Sequence, residues 1–393
     1  MLNFEFYNPA RILFGKGMEE QVGKRMAALG RRVLLVYGGG SIKRSGLYDT
    51  VLACLADAGV EVTELAGVQP NPRLGLVREG IRLCRENRLD AVLAVGGGSV
   101  IDTCKAIAHG AANPGTDIWE FWKRRAPLTR SMPVGVVLTI PAAGSETSDS
   151  AVLTNAEAGE KRGLNTPFNR PAFAILDPLL AATLPVHQVA CGVSDILMHT
   201  LDRYFNPVTD NALTDELAEA LLRVVLEYGP AAVRDAHDET AMSEIMWAGS
   251  LSHNGLTGLG GRKDFATHQL GHALSEKFDV YHGDSLTAVW SSWARSVMDE
   301  APARFARFAR NVWHVEEADD TAAALAGIAK QEAFFRSIGM PVRLGELSCG
   351  KQDEAGLADL ASRCSYGKTR TIGTFRVLDY ESILAIYRRA NEA

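Results

Sequence analysis

Residues 90–99 read DAVLAVGGGS, and residues 31–41 read RRVLLVYGGGS. Each stretch is a short apolar run, rich in Val and Leu, that stops at three glycines and a serine. Apolar runs of this length are typical of buried strands, and residues with helical spacing follow each glycine turn. The two stretches therefore predict a repeated strand–turn–helix unit, from which parallel sheets with helices on their faces are built.

The alternation of strands and helices continues along the chain and ends at about residue 185. Further strands are predicted at 60–65 and 134–140, with helices at 47–58 and 74–87. After about residue 185 strand-like runs almost disappear. Helical patterns bounded by turn pairs such as Gly229-Pro230 then cover residues 187–205, 212–228, 240–254, 265–277, 285–299, 321–338 and 380–390. We predict two domains: an α/β domain with a parallel sheet over residues 1–185 and an all-helical domain over residues 186–393.

Composition excludes several classes of protein. The chain has 393 residues, 47% of them hydrophobic, and its net charge of −6 gives no electrostatic reason to bind nucleic acid or an anionic membrane. No apolar run reaches the roughly 18–20 residues that span a bilayer, and the opening MLNFEFYNPARILFGKG does not have the pattern of a secretory signal. The six cysteines are scattered and form no CxxC pair. We expect a reduced, soluble, cytoplasmic protein with no nucleic-acid or membrane partner.

The turn at Gly96–Ser99 is a candidate phosphate site. Glycines let a ligand approach the backbone, and the start of the following helix offers N–H groups and a positive dipole end. Ile101 stands where the common dinucleotide fingerprint has its third glycine, and no Gly-Lys-Ser/Thr follows, so the turn is neither of the two familiar motifs. A glycine turn without a ligand stays open as an alternative.

The turn at Gly38–Ser41 bears on the choice of nucleotide. Enzymes that prefer NAD usually hold the adenosine ribose with an acidic side chain near the end of an early strand. No Asp or Glu lies between Arg32 and Lys43, whereas Ser41 and Lys43 are placed to receive a 2′-phosphate. The alternative is a tight turn with a solvated lysine.

Histidines and carboxylates cluster in two segments. The stretch HQLGHALSEKFDVYHGD contains His268, His272 and His282, and SDILMHTLDRYF contains Asp195 and His199, four residues apart. A spacing of four puts two side chains on one face of a helix. Imidazole and carboxylate together suit Zn²⁺ or Fe²⁺, and the lack of cysteine in both segments favours an open catalytic site over a structural one. Hydrogen-bonded structural histidines are the alternative, and we interpret the remaining histidines, His253 among them, in that way.

Taken in order, these segments resemble the iron-containing (group III) alcohol dehydrogenases. The resemblance is to the branch that holds butanol dehydrogenases and NADPH-dependent aldehyde reductases, and it covers essentially the whole chain. The stretches that carry it are FEFYNPARILFGKG, VLLVYGGGSIKRSG, VQPNPRLGLV, AVGGGSVIDTCKAIA, TIPAAGSETSDSAVLTN, FAILDPLLAATLPVHQVACGVSDILMHTLDRYF and HQLGHALSEKFDVYHGD.

The resemblance implies a dinucleotide-binding α/β domain, an all-helical metal-binding domain and an active site in the cleft between them. The family's metal ligands fall on Asp195, His199, His268 and His282, and a further histidine that lines the site falls on His272. Its cofactor contacts fall on Gly97, Gly98, Ser99, Asp102, Thr139 and Lys161, in addition to the turn residues Gly38, Gly39, Ser41 and Lys43. Two positions depart from the family's usual residues: Ser148 replaces an Asn near the nicotinamide, and Ala143 replaces a Thr.

The activity implied is metal-dependent hydride transfer between NADP(H) and a primary alcohol/aldehyde pair, with Fe²⁺ or Zn²⁺ as the metal and NAD(H) still possible. Two alternatives remain: an NAD(H)-linked glycerol-type or related polyol dehydrogenase, and a nucleotide- and metal-binding protein without catalysis. The resemblance also implies a homodimer, for which a candidate strand at Asn3–Tyr7 can pair across a two-fold axis.

Overall fold

A computed structural model describes residues 1–208 and 210–392 of the chain. The chain divides into two units. We call the first the α/β unit; it comprises Tyr7–Leu184 and Ala236–Ser250. We call the second the helical unit; it comprises Met1–Phe6, Pro185–Asp235 and Leu251–Ala393.

A parallel sheet forms the centre of the α/β unit. Its six strands lie in the order β1-β8-β5-β4-β2-β3 within the described residues, and every neighbouring pair is parallel. A separate antiparallel pair, β6 and β7, forms a hairpin. The strands are β1 Arg11–Phe14, β2 Arg32–Tyr37, β3 Glu61–Leu65, β4 Ala91–Gly96, β5 Val134–Leu138, β6 Ser150–Asn155, β7 Glu160–Asn165 and β8 Phe173–Leu176.

The order of the strands creates a topological switch point between β2 and β4. From β2 the chain moves to β3 on one side, and from β4 it moves to β5 on the other. Ligands of open α/β sheets bind at the carboxyl ends of the strands where the winding direction reverses. The helices of this unit are α1 Val22–Ala27, α2 Ser41–Arg44, α3 Leu47–Asp57, α4 Leu74–Glu86, α5 Gly98–Ala112 and α6 Ile118–Trp122.

The helical unit is organised around α7, which spans Val186–Tyr204. From Gly192 to Tyr204 every residue of α7 is buried, including the polar residues Asp195, His199 and Asp202. Because buried charges need partners, this helix is where chemistry is to be expected. Its other helices are α8 Ala212–Arg234, α10 Ala266–Phe278, α11 His282–Val297, α12 Pro302–Trp313, α13 Asp320–Ser337, α14 Glu354–Cys364 and α15 Tyr380–Asn391. The helix α9, Glu239–His253, belongs to the α/β unit as far as Ser250.

The fold class predicted from the sequence is confirmed, because the parallel sheet with its flanking helices and the helical second half are both present. Two segments do not follow the predicted division at residue 185. Residues 236–250 belong to the α/β unit, where Thr147 Oγ1 donates to the Ser250 carbonyl at 2.9 Å. Residues 1–6 belong to the helical unit, where Leu2 N donates to the Gly260 carbonyl at 2.9 Å.

One local prediction was wrong, and another is not tested by a single chain. Asn3–Tyr7 forms no strand within the described chain, and its expected pairing across a two-fold axis stays a prediction. Gly229-Pro230 does not end α8, which continues to Arg234. A Cβ on Gly229 would lie 2.8 Å from Val193 of α7, so close packing of the two helices outweighs the local tendency to break. In the part of the chain that the structure describes, no helix is long and apolar enough to cross a membrane.

Candidate metal centre and nucleotide-binding edge

Three predicted nucleotide-contacting segments meet at one edge of the sheet. Gly38–Ser41 follows β2, Gly97–Ser99 follows β4, and Thr139 follows β5. The strands are neighbours in register, with Tyr37 opposite Val95 and Gly96 opposite Leu138. The two glycine turns therefore flank the switch point, where the sheet geometry favours a bound ligand.

The start of α5 has the geometry of a phosphate cradle. The helix begins at Gly98 and runs for 15 residues, so its first N–H groups lack partners within the helix and its dipole favours an anion. A Cβ on Gly97 would lie 2.9 Å from Ile140, and one on Gly98 would lie 3.0 Å from Ala143. Since the loop after β5 covers the turn this closely, only glycine fits there.

The end of β2 is open and carries a lysine. A Cβ on Gly39 would meet nothing within 4 Å, and Ser41 and Lys43 are both exposed. Lys43 Nζ lies 5.2 Å from the ring centre of Tyr37 and 4.4 Å from that of Tyr48. A hydrogen bond with the Tyr37 hydroxyl raises the pKa of Lys43, which keeps its positive charge at neutral pH.

One acidic side chain near this edge escaped the sequence analysis. Glu64 is on β3, next to β2, and accepts hydrogen bonds at 2.8 Å from the hydroxyls of Tyr37 and Tyr48. The residues that follow β2 along the chain do not include Glu64, because Glu64 lies on the neighbouring strand β3. Its carboxylate oxygens are each engaged by a tyrosine.

Asp102 and Ser148 belong to a buried polar network. The Asp102 carboxylate accepts from Ser145 Oγ at 2.6 Å and from Val152 N at 2.8 Å. The Lys105 ammonium donates to Ser145 Oγ at 2.8 Å, to Ser148 Oγ at 3.4 Å and to the Ser150 carbonyl at 2.7 Å. Burial lowers the pKa of Lys105 to about 8, against the opposing effect of Asp102. These contacts tie the 14% exposed side chain of Asp102 and the buried Ser148 to the loop after β5, and the cofactor contacts expected of both residues stay a prediction.

Lys161 and Thr139 lie next to this network. Lys161 is buried on β7, where its Nζ donates to Asn71 Oδ1 at 2.8 Å. Its charge lies near enough to Asp102 to lower the pKa of that carboxyl, although burial, the larger effect, raises it. Thr139 donates its backbone N–H to the Gly96 carbonyl at 3.1 Å, which joins the loop after β5 to the glycine turn.

The four predicted metal ligands converge in the helical unit. Asp195 and His199 come from α7, His268 from α10, and His282 from the first residue of α11. Asp195 Oδ1 lies 3.5 Å from His199 Nδ1, 3.6 Å from His268 Nε2 and 3.8 Å from His282 Nε2. Asp195, His268 and His282 each offer a ligand atom within 4.8 Å of the other two, which one cation can bind once the side chains draw together, and His199 Nδ1 approaches this group through Asp195 Oδ1.

Three of the candidate ligand atoms have no hydrogen-bond partner in the described chain, which supports a cation at this place. Asp195 Oδ1, His199 Nδ1 and His268 Nε2 are buried, and among residues 1–208 and 210–392 none of the three has a hydrogen-bond partner. Buried polar atoms are nearly always paired, and these three lie together, with Asp195 Oδ1 3.5 Å from His199 Nδ1 and 3.6 Å from His268 Nε2, an arrangement that suits a bound cation. The donors Asp195, His268 and His282 fit a divalent metal, and His199 lies beside Asp195 as a further imidazole donor.

A second carboxylate orients one of the ligands. Asp202 Oδ2 lies 2.5 Å from His268 Nδ1, so Nε2 of the same ring points toward Asp195. Burial alone lowers the pKa of His268, but the carboxylates of Asp195 and Asp202 outweigh it and raise the pKa to about 9. Metal-ligating histidines commonly hold their second ring nitrogen in this way.

Two further histidines line the cluster. The His272 ring centre lies 6.4 Å from that of His268 and 5.5 Å from that of His282, and the residue is half-buried. His253, interpreted as structural from the sequence, packs its ring 3.9 Å from the ring centre of His199. Burial, followed by the charge of His253, lowers the pKa of His199 well below its usual value. No spacing in the sequence relates His253 to the other histidines, so only the fold could reveal it.

Comparisons of sequence and of structure match the chain to the same group of proteins. The model of the iron-containing alcohol dehydrogenase family matches residues 9–178, and the model of the family's C-terminal region matches residues 188–391. The chain is 40% identical to the probable NADH-dependent butanol dehydrogenase 1 of Bacillus subtilis over 99% of both chains. It is 37% identical to the NADPH-dependent aldehyde reductase YqhD of Escherichia coli, over 88% of this chain and 89% of the other. Its fold matches the crystal structure of NADH-dependent butanol dehydrogenase A from Thermotoga maritima with a TM-score of 0.95 and 32% identity, covering 100% and 99% of the two chains.

Proposed function

Because the chain belongs to the iron-containing alcohol dehydrogenase family, we propose that it interconverts primary alcohols and aldehydes with NADP(H) and one metal ion held by Asp195, His199, His268 and His282. The family's activity is alcohol oxidation and aldehyde reduction with a nicotinamide cofactor and a metal. The observation that carries the proposal is the meeting of one carboxylate and three imidazoles, three of whose buried donor atoms have no hydrogen-bond partner in the described chain.

The side chains of the centre are suited to this chemistry. When bound, the metal supplies a Lewis acid for the carbonyl oxygen, and the nicotinamide supplies or accepts the hydride. Asp195 offsets part of the positive charge, and Asp202 keeps the His268 ring turned toward it. Burial of the site limits competing hydrogen bonds from water.

A proton must reach the substrate oxygen when an aldehyde becomes an alcohol. We assign its passage to a ring nitrogen of His272, because this ring is half-buried beside the cluster and is 5.5 Å from the His282 ring centre. Substitution of His272 by Ala is expected to lower kcat while leaving one metal ion per chain. Loss of the metal in that variant would instead make His272 a ligand.

The preference for NADP(H) rests on the end of β2. Residues 38–43 have no acidic side chain to repel a 2′-phosphate, Gly39 leaves open space, and Lys43 carries an exposed positive charge. Glu64, the acidic residue on β3, already accepts hydrogen bonds from two tyrosines. One hydrogen bond to a charged group contributes about 1.5–3 kcal/mol, so NADPH should be favoured about ten- to a hundredfold.

NADH is the second candidate cofactor, because two relatives, 40% and 38% identical to the chain, bear NADH-dependent names. The deciding experiment is kcat/KM for NADPH and for NADH with a panel of primary aldehydes, combined with metal analysis of the purified protein. A higher kcat/KM with NADH would refute the cofactor proposal. Iron or zinc in the protein identifies the metal, since this donor set suits both.

The same assay separates the alternatives in substrate and mechanism. Oxidation of glycerol in preference to butanol, with NAD⁺, would identify a polyol dehydrogenase. Binding of the nucleotide without turnover of any aldehyde would identify a protein that binds but does not catalyse.

A homodimer is proposed with the enzyme. Phe4 and Phe6, in the N-terminal segment of the helical unit, are 53% and 46% exposed, which leaves apolar surface for a second copy. Light scattering should give a mass near twice the 42.4 kDa of one chain, and a mass near 42.4 kDa would contradict the proposal. A cytoplasmic location is also proposed, supported by the six cysteines, all free in the described structure.

A further inference from the structure

One face of α7 carries more potential ligands than the proposed centre uses. His187, Cys191, Asp195 and His199 follow one another at intervals of four residues. Residues four apart on a helix are neighbours on the same face. Asp195 and His199 belong to the centre described above, whereas Cys191 lies one turn and His187 two turns before Asp195, and neither has a role in it.

Asp284 completes a second group of ligands. It belongs to the first turn of α11, two residues after His282. Its Oδ2 lies 3.1 Å from His187 Nε2, and its Oδ1 lies 3.8 Å from Cys191 Sγ. Cys191 Sγ lies 3.6 Å from His187 Nε2. A thiol, an imidazole and a carboxylate thus meet in one place.

These separations match those around a tetrahedral zinc ion. With Zn–S near 2.3 Å and Zn–N or Zn–O near 2.0–2.1 Å, tetrahedral angles put sulfur about 3.5 Å from a nitrogen or oxygen ligand, and nitrogen about 3.3 Å from oxygen. The observed distances are 3.6 and 3.8 Å from sulfur and 3.1 Å between nitrogen and oxygen. The two contacts of Asp284 use different carboxylate oxygens; with one ligand atom from each side chain, all three lie within 4.8 Å of one another and must draw together to bind one ion.

The backbone holds the group in this arrangement. A Cβ on Gly283 would lie 2.7 Å from the Cα of Cys191, so α7 and the start of α11 approach as closely as their backbones allow. This contact sets the distance between Cys191 and Asp284. Ligand sites on closely packed helices keep their geometry better than sites on loops.

The group is open on one side. His187 and Asp284 line a cavity of about 460 Å³, which Tyr281 and Met340 also border. The His187 side chain is 44% exposed and that of Asp284 is 14% exposed. An ion can enter from this cavity, and water can take the fourth position.

A cysteine nucleophile is a poorer interpretation of the same residues. In cysteine hydrolases the histidine stands between the thiol and the carboxylate, and the thiol has a low pKa. Here Cys191 Sγ lies near both His187 and Asp284, and burial raises the pKa of the thiol. Nothing in this arrangement activates the sulfur.

We propose that His187, Cys191 and Asp284 form a second divalent-cation site, of the open zinc type, with thiolate, imidazole and carboxylate ligands. Binding displaces the thiol proton to solvent as the metal–sulfur bond forms. The ion would join the first turns of α7 and α11, next to Asp195 and His282. The proposal does not depend on the reaction that the enzyme catalyses.

Cobalt(II) distinguishes this site from the first one. The first centre has no sulfur ligand, so thiolate-to-cobalt charge-transfer absorption in the near ultraviolet reports the second site alone. Holoenzyme with its native metal in place would be titrated with CoCl₂, and absorption and bound cobalt would be recorded together. We expect one additional equivalent of Co²⁺ per chain and a charge-transfer band that grows with it.

Variants identify the ligands. Cys191→Ser should abolish the band, and His187→Ala, a change at an exposed side chain, should weaken Co²⁺ binding at least about tenfold. Cys54→Ser, in the α/β unit, serves as the matched control and should keep both the band and the affinity. Circular dichroism of each variant verifies that it is folded.

A second readout uses Zn²⁺. One equivalent added to the holoenzyme should raise the Tm of the wild type but not that of His187→Ala. No band and no additional cobalt in the wild type, or a band that survives Cys191→Ser, would overturn the proposal. Neither result would bear on aldehyde reduction, which tests the first centre separately.

Discussion

Lys105 and His109 are buried in the α/β unit as deeply as His199 and His268 are in the helical unit, yet the two pairs are satisfied differently. Lys105 Nζ makes three hydrogen bonds, to Ser145, Ser148 and Ser150. Both His109 nitrogens are bonded, to Ser131 Oγ at 2.8 Å and Asn169 Oδ1 at 2.7 Å. By contrast, His199 Nδ1 and His268 Nε2 have no partner among the described residues.

The contrast distinguishes a scaffold from a site. An unpaired buried polar group costs roughly 1–3 kcal/mol, so an arrangement that leaves three of them together is costly unless something else binds them. A network whose donors and acceptors are matched within the chain is stable without any further group, so its members need no ligand to hold the fold. Where unmatched atoms lie together, as around Asp195, a bound cation would supply the missing interaction, which is the basis of the proposed metal centre.

Replacing His199 by Leu tests this contrast most strongly. We expect aldehyde reduction to fall by about a thousandfold or more, because the metal contributes several kcal/mol to the transition state. In metal-free protein, the free energy of unfolding should rise by about 1–3 kcal/mol, because an apolar side chain of similar size replaces one with an unpaired polar atom. Denaturant unfolding in the presence of a chelator measures this free energy. A loss of several kcal/mol would show that the His199 side chain stabilises the fold itself.

The pH dependence of stability tests the other half of the contrast, the fully hydrogen-bonded His109 of the α/β unit. Burial lowers the pKa of His109 to about 4, against an ordinary value of 6.5. Between these pH values the unfolded chain binds a proton that the folded chain does not, so stability falls as the pH drops from 6.5 to 4. The loss from this residue should be about 3 kcal/mol.

The contribution of His109 is isolated by a comparison with His109→Gln, which has no proton to gain. As the pH falls through this window, the wild type should lose about 3 kcal/mol of unfolding free energy relative to the variant. Parallel pH profiles for the two proteins would show that His109 is not buried in its neutral form.

Asp202→Asn tests a residue that supports the metal centre without belonging to it, because Asp202 contacts the His268 ring but is not a proposed ligand. We expect metal affinity to fall about 10- to 100-fold, with most of kcat recovered at saturating metal. The affinity is measured by competition with a chelator. An unchanged affinity would mean that packing alone orients His268.

The smallest expected effect concerns the nucleotide edge. Gly38→Asp should shift the preference toward NADH by about tenfold, by adding repulsion to a 2′-phosphate. A Cβ at this position would lie 3.3 Å from the Val68 carbonyl, so Gly38→Ala is needed to separate crowding from charge. Equal shifts in both variants would show that space, not charge, controls the preference.

Much of the α/β unit could be predicted because β2, β4 and β5 are buried almost throughout and read as apolar runs, whereas the four-residue strands β1 and β8 were not predicted. The strands predicted at 31–37, 60–65, 90–95 and 134–140 are within two residues of β2, β3, β4 and β5. The hairpin β6–β7 was missed because β7, with the sequence EKRGLN, is polar and partly exposed. No apolar run marks such a strand, and only its pairing with β6 makes it one.

The site was predictable where ligands share a helix and unpredictable where the fold assembles them. The spacing of four identified Asp195 with His199, and His268 with His272. The packing of His253 on His199 and the meeting of Cys191 with Asp284 join different helices, and no periodicity relates them. The burial of Asp102 among Ser145 and Val152 likewise depends on tertiary contacts.

Removal and return of the metal tests the central claim most directly. Wild-type protein would be freed of metal by a chelator, shown to be folded, and assayed with NADPH and butanal while Fe²⁺ or Zn²⁺ is added back. The account predicts negligible activity without metal and a rise that saturates when the site of Asp195, His199, His268 and His282 is filled, with no rise in His199→Leu. Full turnover in the metal-free protein would contradict it.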